Sequence, residues 1–122
     1  MLWLTRPLVL LALLTVVPTA IARTTTAPPV GTLPPGPTAK VHMKKGQLVT
    51  FALPHGVHGK VWRIKGSING KILREVSETD RGAHVDVVFK AVGKGLAIVR
   101  FGLTEGEHAT AYRARRYAVR VR

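Results

Sequence analysis

Apolar and polar residues alternate through most of the chain after position 40. Val49, Phe51 and Leu53 show the pattern most clearly, because an apolar residue at every second position is expected where a strand buries one face. The same period returns along the chain between short stretches rich in Gly, Asn, Asp and Ser, which favour turns. The pattern predicts strands over residues 41–43, 47–53, 60–65, 71–77, 84–91, 96–103 and 112–121.

Seven short strands separated by turns, with no helical periodicity, are typical of one architecture. It is an all-β, immunoglobulin-like antiparallel β-sandwich, in which two sheets enclose one core. The strongly apolar run 96–103 predicts a central strand. Trp62 lies on the third predicted strand, where such sandwiches often bury a tryptophan. On the last strand Tyr117, Val119 and Val121 are expected to face the core.

The first 40 residues carry a different pattern, which predicts two segments before the sandwich. Residues 1–22 have the features of a secretory signal peptide, with Arg6 before an apolar run and a small-x-small motif that ends at Ala22. The alternative is an uncleaved membrane anchor, but the apolar run is shorter than the roughly 20 residues that span a bilayer. Residues 23–40 are rich in Pro and Thr and predict an extended linker with almost nothing to bury. The sandwich domain is therefore predicted over residues 41–122.

Composition adds information on compartment and on charge. The sequence has no cysteine, so no disulfide supports the fold and no cysteine-linked lipid is attached. With the predicted signal, this indicates a periplasmic or secreted monomer without a transmembrane span after cleavage. The 19 Lys and Arg residues against 6 Asp and Glu residues give a net charge of +13. Such a surface attracts anionic polymers of the cell envelope, or it only keeps the domain soluble; export argues against a nucleic-acid partner.

The segment between the second and third predicted strands is the first candidate binding element. Residues 54–59 contain a proline and two glycines, so they form an irregular loop on a rigid scaffold, where binding residues concentrate. In an immunoglobulin-like sandwich the loops after the second, fourth and sixth strands are expected at the same end. The residues predicted to contact a protein partner are His55, Gly56, Val57, His58, Gly59, Arg81, Gly82, Thr104, Glu105 and Gly106.

The framework around these loops carries a family resemblance. It rests on residues 46–49, 53–54, 88–91 and 116–121, together with Gly59, Trp62, Gly93 and Gly95. In these positions the chain resembles the chagasin-like inhibitors of papain-type cysteine proteases, which are small exported immunoglobulin-like domains. The resemblance implies a protein that is not an enzyme. It also implies a cysteine peptidase as the protein target, blocked by loop backbone and an aromatic side chain that enter its cleft.

The three loops themselves differ from the family pattern. The family's first loop reads Asn-Pro-Thr-Thr-Gly-aromatic, whereas here residues 54–60 contain no threonine pair and end on Lys60. The second loop keeps Gly82 of a Gly-x-Gly-Gly motif, and the third, over residues 103–106, contains no Arg-Pro-Trp. The leading prediction is an exported binding protein of this fold, with a cysteine-peptidase inhibitor as its specific form. The alternatives are a basic module that binds anionic envelope polymers and a histidine-rich metal-binding domain.

The histidines are the residues that suggest metal binding. Neutral imidazoles bind zinc, copper or nickel, and four histidines are expected at the loop-bearing end, although solvated loop histidines are the simpler interpretation. The candidate ligands are His55, His58, His84 and His108. Catalysis has less support, because the only serines are Ser67 and Ser77, no Gly-x-Ser-x-Gly motif occurs, and no cysteine nucleophile exists. No catalytic residue and no cofactor is predicted.

Overall fold

The computed structural model describes residues 27–55 and 59–122, which form β-strands, the turns between them and a segment that precedes the first strand. The strands within these residues are β1 Thr38–Met43, β2 Leu48–Pro54, β3 Lys60–Ile64, β4 Leu73–Asp80, β5 His84–Ala91, β6 Gly95–Glu105 and β7 Ala111–Val121. The prediction of seven strands is confirmed. Over the same residues, no helix is long and apolar enough to cross a membrane. The predicted signal peptide, residues 1–22, lies outside the described residues.

The strands form two sheets that enclose the core. One sheet has the order β1-β7-β6-β3, and the other has the order β2-β5-β4. Neighbouring strands run antiparallel except β1 and β7, which run parallel with Val41 opposite Val119. β6 lies inside its sheet, as its apolar sequence predicts. The immunoglobulin-like β-sandwich is therefore confirmed.

The core between the sheets is built around aromatic rings. Phe51 of β2 packs edge-on against Phe89 of β5 and Phe101 of β6, with ring centroids 5.9 and 5.7 Å apart. Tyr117 of β7 lies 4.2 Å from Phe51, so the rings join the two sheets. Each pair of this kind contributes about 0.5–1.5 kcal/mol beyond the burial of its area. Because the rings occupy core-facing positions of four strands, the two-residue period in the sequence brings them into one layer.

The fourth strand differs from its prediction. The pattern predicts it over residues 71–77, but it spans Leu73–Asp80. The residues before it belong to a turn in which the amide of Leu73 donates to the carbonyl of Asn69. Val76 lies at a bulge between Glu75 and Ser77 and is 53% exposed. A bulge adds one residue to a strand and reverses the alternation after it, which the sequence pattern does not indicate.

Residues 27–37, named here the N-terminal segment, pack on the outer face of the four-stranded sheet. Val30 and Leu33 are buried, with 7% and 9% exposure. They lie over Gly102 of β6, where a Cβ atom would come within 2.9 and 3.0 Å of their side chains. The expectation that this segment has almost nothing to bury is therefore wrong, because a glycine in the sheet leaves space for two aliphatic side chains. β1 also begins three residues before its predicted start, at Thr38.

Polar contacts hold the same segment in place. Side-chain cations of the sheet donate to its backbone carbonyls, from Arg63 to Pro28, from Lys65 to Gly31 and from Arg116 to Pro34. The amide of Gly31 also donates to the carbonyl of Ala109 in the loop between β6 and β7. A charge-assisted hydrogen bond of this kind is roughly twice as strong as a neutral one. The N-terminal segment is thus part of the packed structure.

Candidate functional site

Three loops meet at one end of the sandwich, and this end is named here the loop end. They are the β2–β3 loop, the β4–β5 loop and the β6–β7 loop. The amide of His55 donates to the carbonyl of Ala83 at 3.0 Å, which joins the first loop to the second. The amide of Gly106 donates to the carbonyl of Gly59 at 2.7 Å, which joins the third loop to the first. The structure therefore brings together the described parts of all three loops; Gly56, Val57 and His58 lie outside the described residues.

Each of these loops contains a glycine with an unusual backbone conformation. Gly59, Gly82 and Gly106 have φ angles of 75°, 90° and 56°, which residues with a Cβ atom rarely adopt. Apart from the adjoining residues, no described atom lies within 4 Å of the position that a Cβ atom would take at any of the three. The backbone at these three points is therefore open to a molecule that approaches from outside.

Trp62 of β3 connects the two sheets beneath the loops. Its indole Nε1 donates to the carbonyl of Pro54, the last residue of β2, at 2.7 Å. The ring is half-buried and packs against the core. The prediction that the third strand places a tryptophan in the core is confirmed in part, since one side of the ring faces a groove described below. The hydrogen bond fixes where the β2–β3 loop begins.

Asp80 organises the second loop. Its Oδ1 accepts hydrogen bonds from Nε2 of His55 and from the amide of Gly82, both at 2.8 Å. These bonds, above all the one from His55, hold the pKa of Asp80 below its ordinary value of 3.8. The ionised carboxylate thus ties His55 of the first loop to the turn of the second.

Asp86 of β5 forms a second polar centre at the loop end. Its Oδ2 lies 3.2 Å from Nε of Arg81, and its Oδ1 lies 3.1 Å from Nε2 of His84. The side chain of Arg81 is nevertheless 60% exposed, so it remains available to a partner. His84 contacts Asp86 rather than another predicted metal ligand.

The third loop is shorter than predicted. Thr104 is expected in a loop that contacts a partner, but it lies within β6 and is fully buried. Its hydroxyl donates to the carbonyl of Gly106 at 2.8 Å, so it supports the turn and does not reach a partner. Glu105, the last residue of β6, accepts from the hydroxyl of Tyr112 at 3.2 Å, which raises the pKa of Tyr112. Nζ of Lys60 lies 4.7 Å from the centre of the same ring.

The described sandwich has a counterpart among solved structures. The fold is similar to that of a cysteine protease inhibitor. That inhibitor, EhICP2 from Entamoeba histolytica, matches the present chain with a TM-score of 0.56 and 17% sequence identity. The match covers 70% of the present chain and 86% of the inhibitor chain. No protein-family model matches the chain, and neither does any curated protein. At this identity the similarity establishes the fold, so function has to be argued from the site.

The predicted metal ligands do not form one cluster among the described residues. Across residues 27–55 and 59–122, no three His, Asp or Glu side chains lie close enough together to hold a metal ion. His55 contacts Asp80, and His108 lies exposed in the third loop, where its carbonyl accepts from Arg63 at 2.9 Å. His58 lies outside the described residues. The four-histidine site stays a prediction, which calorimetry with zinc and copper tests.

A groove beside the loop end contains site residues that the sequence pattern did not indicate. It opens between β3 and β4, each of which is one edge strand of its sheet. Its upper part has a volume of about 340 Å³ and is lined by His55, Lys60, Val61, Trp62, Glu78, Asp80 and Val85. A second cavity of about 320 Å³ continues it and shares Trp62 and Glu78 with the first. The sequence feature that could have indicated this groove is the group of three carboxylates within residues 75–80, on one strand.

Burial and charge in this groove act on Glu75. Desolvation raises the pKa of its carboxyl above the ordinary value of 4.5, and the nearby carboxylate of Glu78 raises it further. The groove is thus an acidic region on a protein whose total charge is strongly positive.

Proposed function

We propose that the protein is a non-catalytic inhibitor whose loop end enters the cleft of a papain-type cysteine peptidase. The observation that carries the proposal is the convergence of three glycine-containing loops at one end of the sandwich. The similarity of this sandwich to a cysteine protease inhibitor supports the same conclusion at the level of fold. The predicted signal peptide favours action in the periplasm or outside the cell, and the protein is proposed to act there as a monomer.

An open loop backbone suits this task for a physical reason. A peptidase cleft binds an extended peptide backbone, so a ligand has to approach it closely without side chains in between. Gly59, Gly82 and Gly106 provide such points in all three loops. Hydrogen bonds already join the described parts of the loops in the free protein, which lowers the entropy cost of binding.

An exposed aromatic ring lies at the loop end, in contact with the chain neighbours of two of these glycines. The family resemblance implies an aromatic contact, and the third loop itself contains no aromatic residue. Tyr112, the second residue of β7, is 49% exposed and is held by Glu105 and Lys60. Aromatic residues contribute a large contact area with few rotatable bonds, which favours them in protein interfaces. We propose that Tyr112 makes this contact, a role that the sequence pattern did not indicate.

The test is inhibition of papain by the chain that begins at Arg23, without a tag. Gly82→Ala is the informative variant, because it adds a Cβ atom to the second loop at a φ of 90°. Gly46→Ala is the matched control: Gly46 has a φ of 96°, has the same open space around it, and lies in the β1–β2 turn at the opposite end. Both variants introduce the same backbone strain, which costs about 1–2 kcal/mol of stability.

Wild type is expected to inhibit with a Kd below about 1 µM, corresponding to a binding free energy of about 8 kcal/mol. Gly82→Ala and Tyr112→Ala are each expected to weaken inhibition about tenfold or more, whereas Gly46→Ala leaves it unchanged. The absence of inhibition by wild type, or an equal loss in Gly82→Ala and Gly46→Ala, would contradict the proposal.

A further inference from the structure

The outer face of the four-stranded sheet, away from the loop end, is basic. Strand pairing places Lys40 of β1, Ala118 of β7 and Ile98 of β6 in one row, and His42, Arg120 and Leu96 in the next. In a third row Arg116 lies opposite Arg100, and the amide of Lys65 donates to the carbonyl of Arg100. The residues between them in sequence, such as Val41, Val99 and Val119, face the core. The named side chains therefore point outward from one sheet; they are called here the basic face.

No Asp or Glu side chain lies on this face. The six Asp and Glu residues of the sequence are Glu75, Glu78, Asp80, Asp86, Glu105 and Glu107. The first four lie on the other sheet, and the last two lie at or beyond the final residue of β6, at the loop end. Within the described residues, Nε of Arg100 is buried without a hydrogen-bond partner. Among the described residues, Lys65 and Arg116 donate to neutral carbonyls of the N-terminal segment and pair with no carboxylate.

Two aliphatic side chains stand among the cations. Leu96 is 47% exposed and Ile98 is 44% exposed, next to Arg120 and Ala118 on β7. The N-terminal segment covers the neighbouring part of the same sheet face, around Gly102, but leaves these two residues open. A flat surface that combines several cations with exposed aliphatic side chains suits an interface that is anionic at its surface and apolar below it.

We propose that the basic face binds the surface of an anionic lipid bilayer. Lys40 and Arg120 contact lipid phosphates, while Leu96 and Ile98 enter the boundary between headgroups and acyl chains. A bilayer explains both groups of residues, whereas a hydrated anionic polymer accounts only for the cations. The basic face lies on the side of the strands and the loop end at their tips, so bilayer binding does not depend on the inhibitor function proposed above.

The test is co-sedimentation with large unilamellar vesicles. Every described strand and buried side chain lies at or after Ala27, so the chain from Arg23 contains the whole described fold without the apolar residues 1–22. Vesicles of phosphatidylcholine alone are compared with vesicles that contain roughly 30% phosphatidylglycerol. Binding is expected only to the anionic vesicles, and it should weaken as NaCl rises from about 0.1 to 0.5 M.

The charge variant is Lys40→Gln/Arg120→Gln, which removes two cations from the basic face. Its matched control is Arg74→Gln/Lys90→Gln, which removes two exposed cations that lie opposite each other on the other sheet. Each cation near an anionic membrane contributes about a fivefold factor in binding, so the first double variant should lose about 25-fold. The control should lose much less. Equal losses would show that only net charge matters and would overturn the proposal.

The apolar variant separates a bilayer from an anionic polymer. Leu96→Thr/Ile98→Thr keeps the charge and the preference for strand, and Leu48→Thr, at a residue 60% exposed on the other sheet, is its control. The double variant should bind vesicles at least about threefold more weakly and should bind dextran sulfate as wild type does. Undiminished vesicle binding would exclude the bilayer and identify the ligand as a polyanion. Thermal unfolding by circular dichroism checks that each variant is folded.

Discussion

Gly102→Ala tests whether the N-terminal segment packs on the sheet in solution. Gly102 lies within β6 and has no unusual φ angle, so the backbone accepts alanine there. Without a neighbour above it, glycine in a strand is about 0.5–1 kcal/mol less favourable than alanine, and the substitution would stabilise the protein. With the segment in place, the new Cβ atom meets the side chains of Val30 and Leu33 at 2.9 and 3.0 Å; the Cβ atom of Ala111, at 3.3 Å, is met in either case. The sign of the effect together with its coupling to Val30 therefore reports the packing.

The magnitude follows from these distances. Carbon atoms pack at about 3.5–4.0 Å, so both side chains must move outward by about 0.5–1 Å. Overpacking of this kind costs about 1–3 kcal/mol. This cost has an upper limit, because a larger one would detach the segment from the sheet. Detachment would expose the side chains of Val30 and Leu33, whose burial contributes about 1.5–3 kcal/mol each. When the gain in strand propensity is subtracted, we expect the free energy of unfolding to fall by about 1.5 kcal/mol. This lowers Tm by about 6–12 °C in a domain of this size.

The assay is thermal unfolding followed by circular dichroism. Gly70→Ala is the control, because Gly70 has no atom within 4 Å of the position of a Cβ atom and no unusual φ angle. Val30→Ala in the Gly102→Ala background should restore part of the lost stability, because it removes the Val30 methyl group nearest the new Cβ atom. An increase in Tm for Gly102→Ala similar to that for Gly70→Ala, with no coupling to Val30, would refute the packing of the segment.

Three further predictions concern the groove, the tryptophan and the N-terminus. Burial raises the pKa of Glu75, so folding favours its protonated form, and the associated stability is present below pH 4.5 and lost as pH rises through the raised pKa. Because the group is largely exposed, Glu75→Gln should stabilise the protein at pH 7 by no more than about 0.5 kcal/mol and should have no effect below pH 4.5, as measured by urea unfolding. Trp62→Phe removes the donor to the carbonyl of Pro54 and should cost about 1 kcal/mol in the same assay; no loss would mean that water replaces the bond. Mass spectrometry of the exported chain should give Arg23 as its first residue, and a retained N-terminus would contradict cleavage.

The two-residue period predicted the strands well because most of them bury one face. Phe51, Phe89 and Phe101 lie at alternating positions and all reach the core, so the pattern located β2, β5 and β6 closely. It missed the bulge between Glu75 and Ser77, after which the alternation reverses, and it failed at Thr104, where a polar residue is buried because its hydroxyl bonds a nearby carbonyl. Both are local events that periodicity does not encode.

The features that the sequence missed depend on contacts between distant parts of the chain. Composition assigned residues 27–37 to a linker, since proline favours extended backbone, but the packing of Val30 depends on a glycine 72 positions later. The groove exists because β3 and β4 are both edge strands, which follows from sheet order and not from either strand alone. The convergence of the loops could be predicted because it follows from the fold, whereas the hydrogen bond between His55 and Asp80 could not.

The separation of charge makes the two proposed surfaces separately testable. The carboxylates lie on β4, on β5 and at the loop end, whereas the basic face has none, so the protein carries a strong charge asymmetry. Near an anionic surface this asymmetry orients the molecule, with the basic face toward the surface and the acidic groove away from it. The strand ends, and with them Gly59, Gly82 and Gly106, then lie to the side and stay accessible to a peptidase. Variants of the basic face should therefore change vesicle binding and its salt dependence without changing inhibition, and Gly82→Ala should do the reverse.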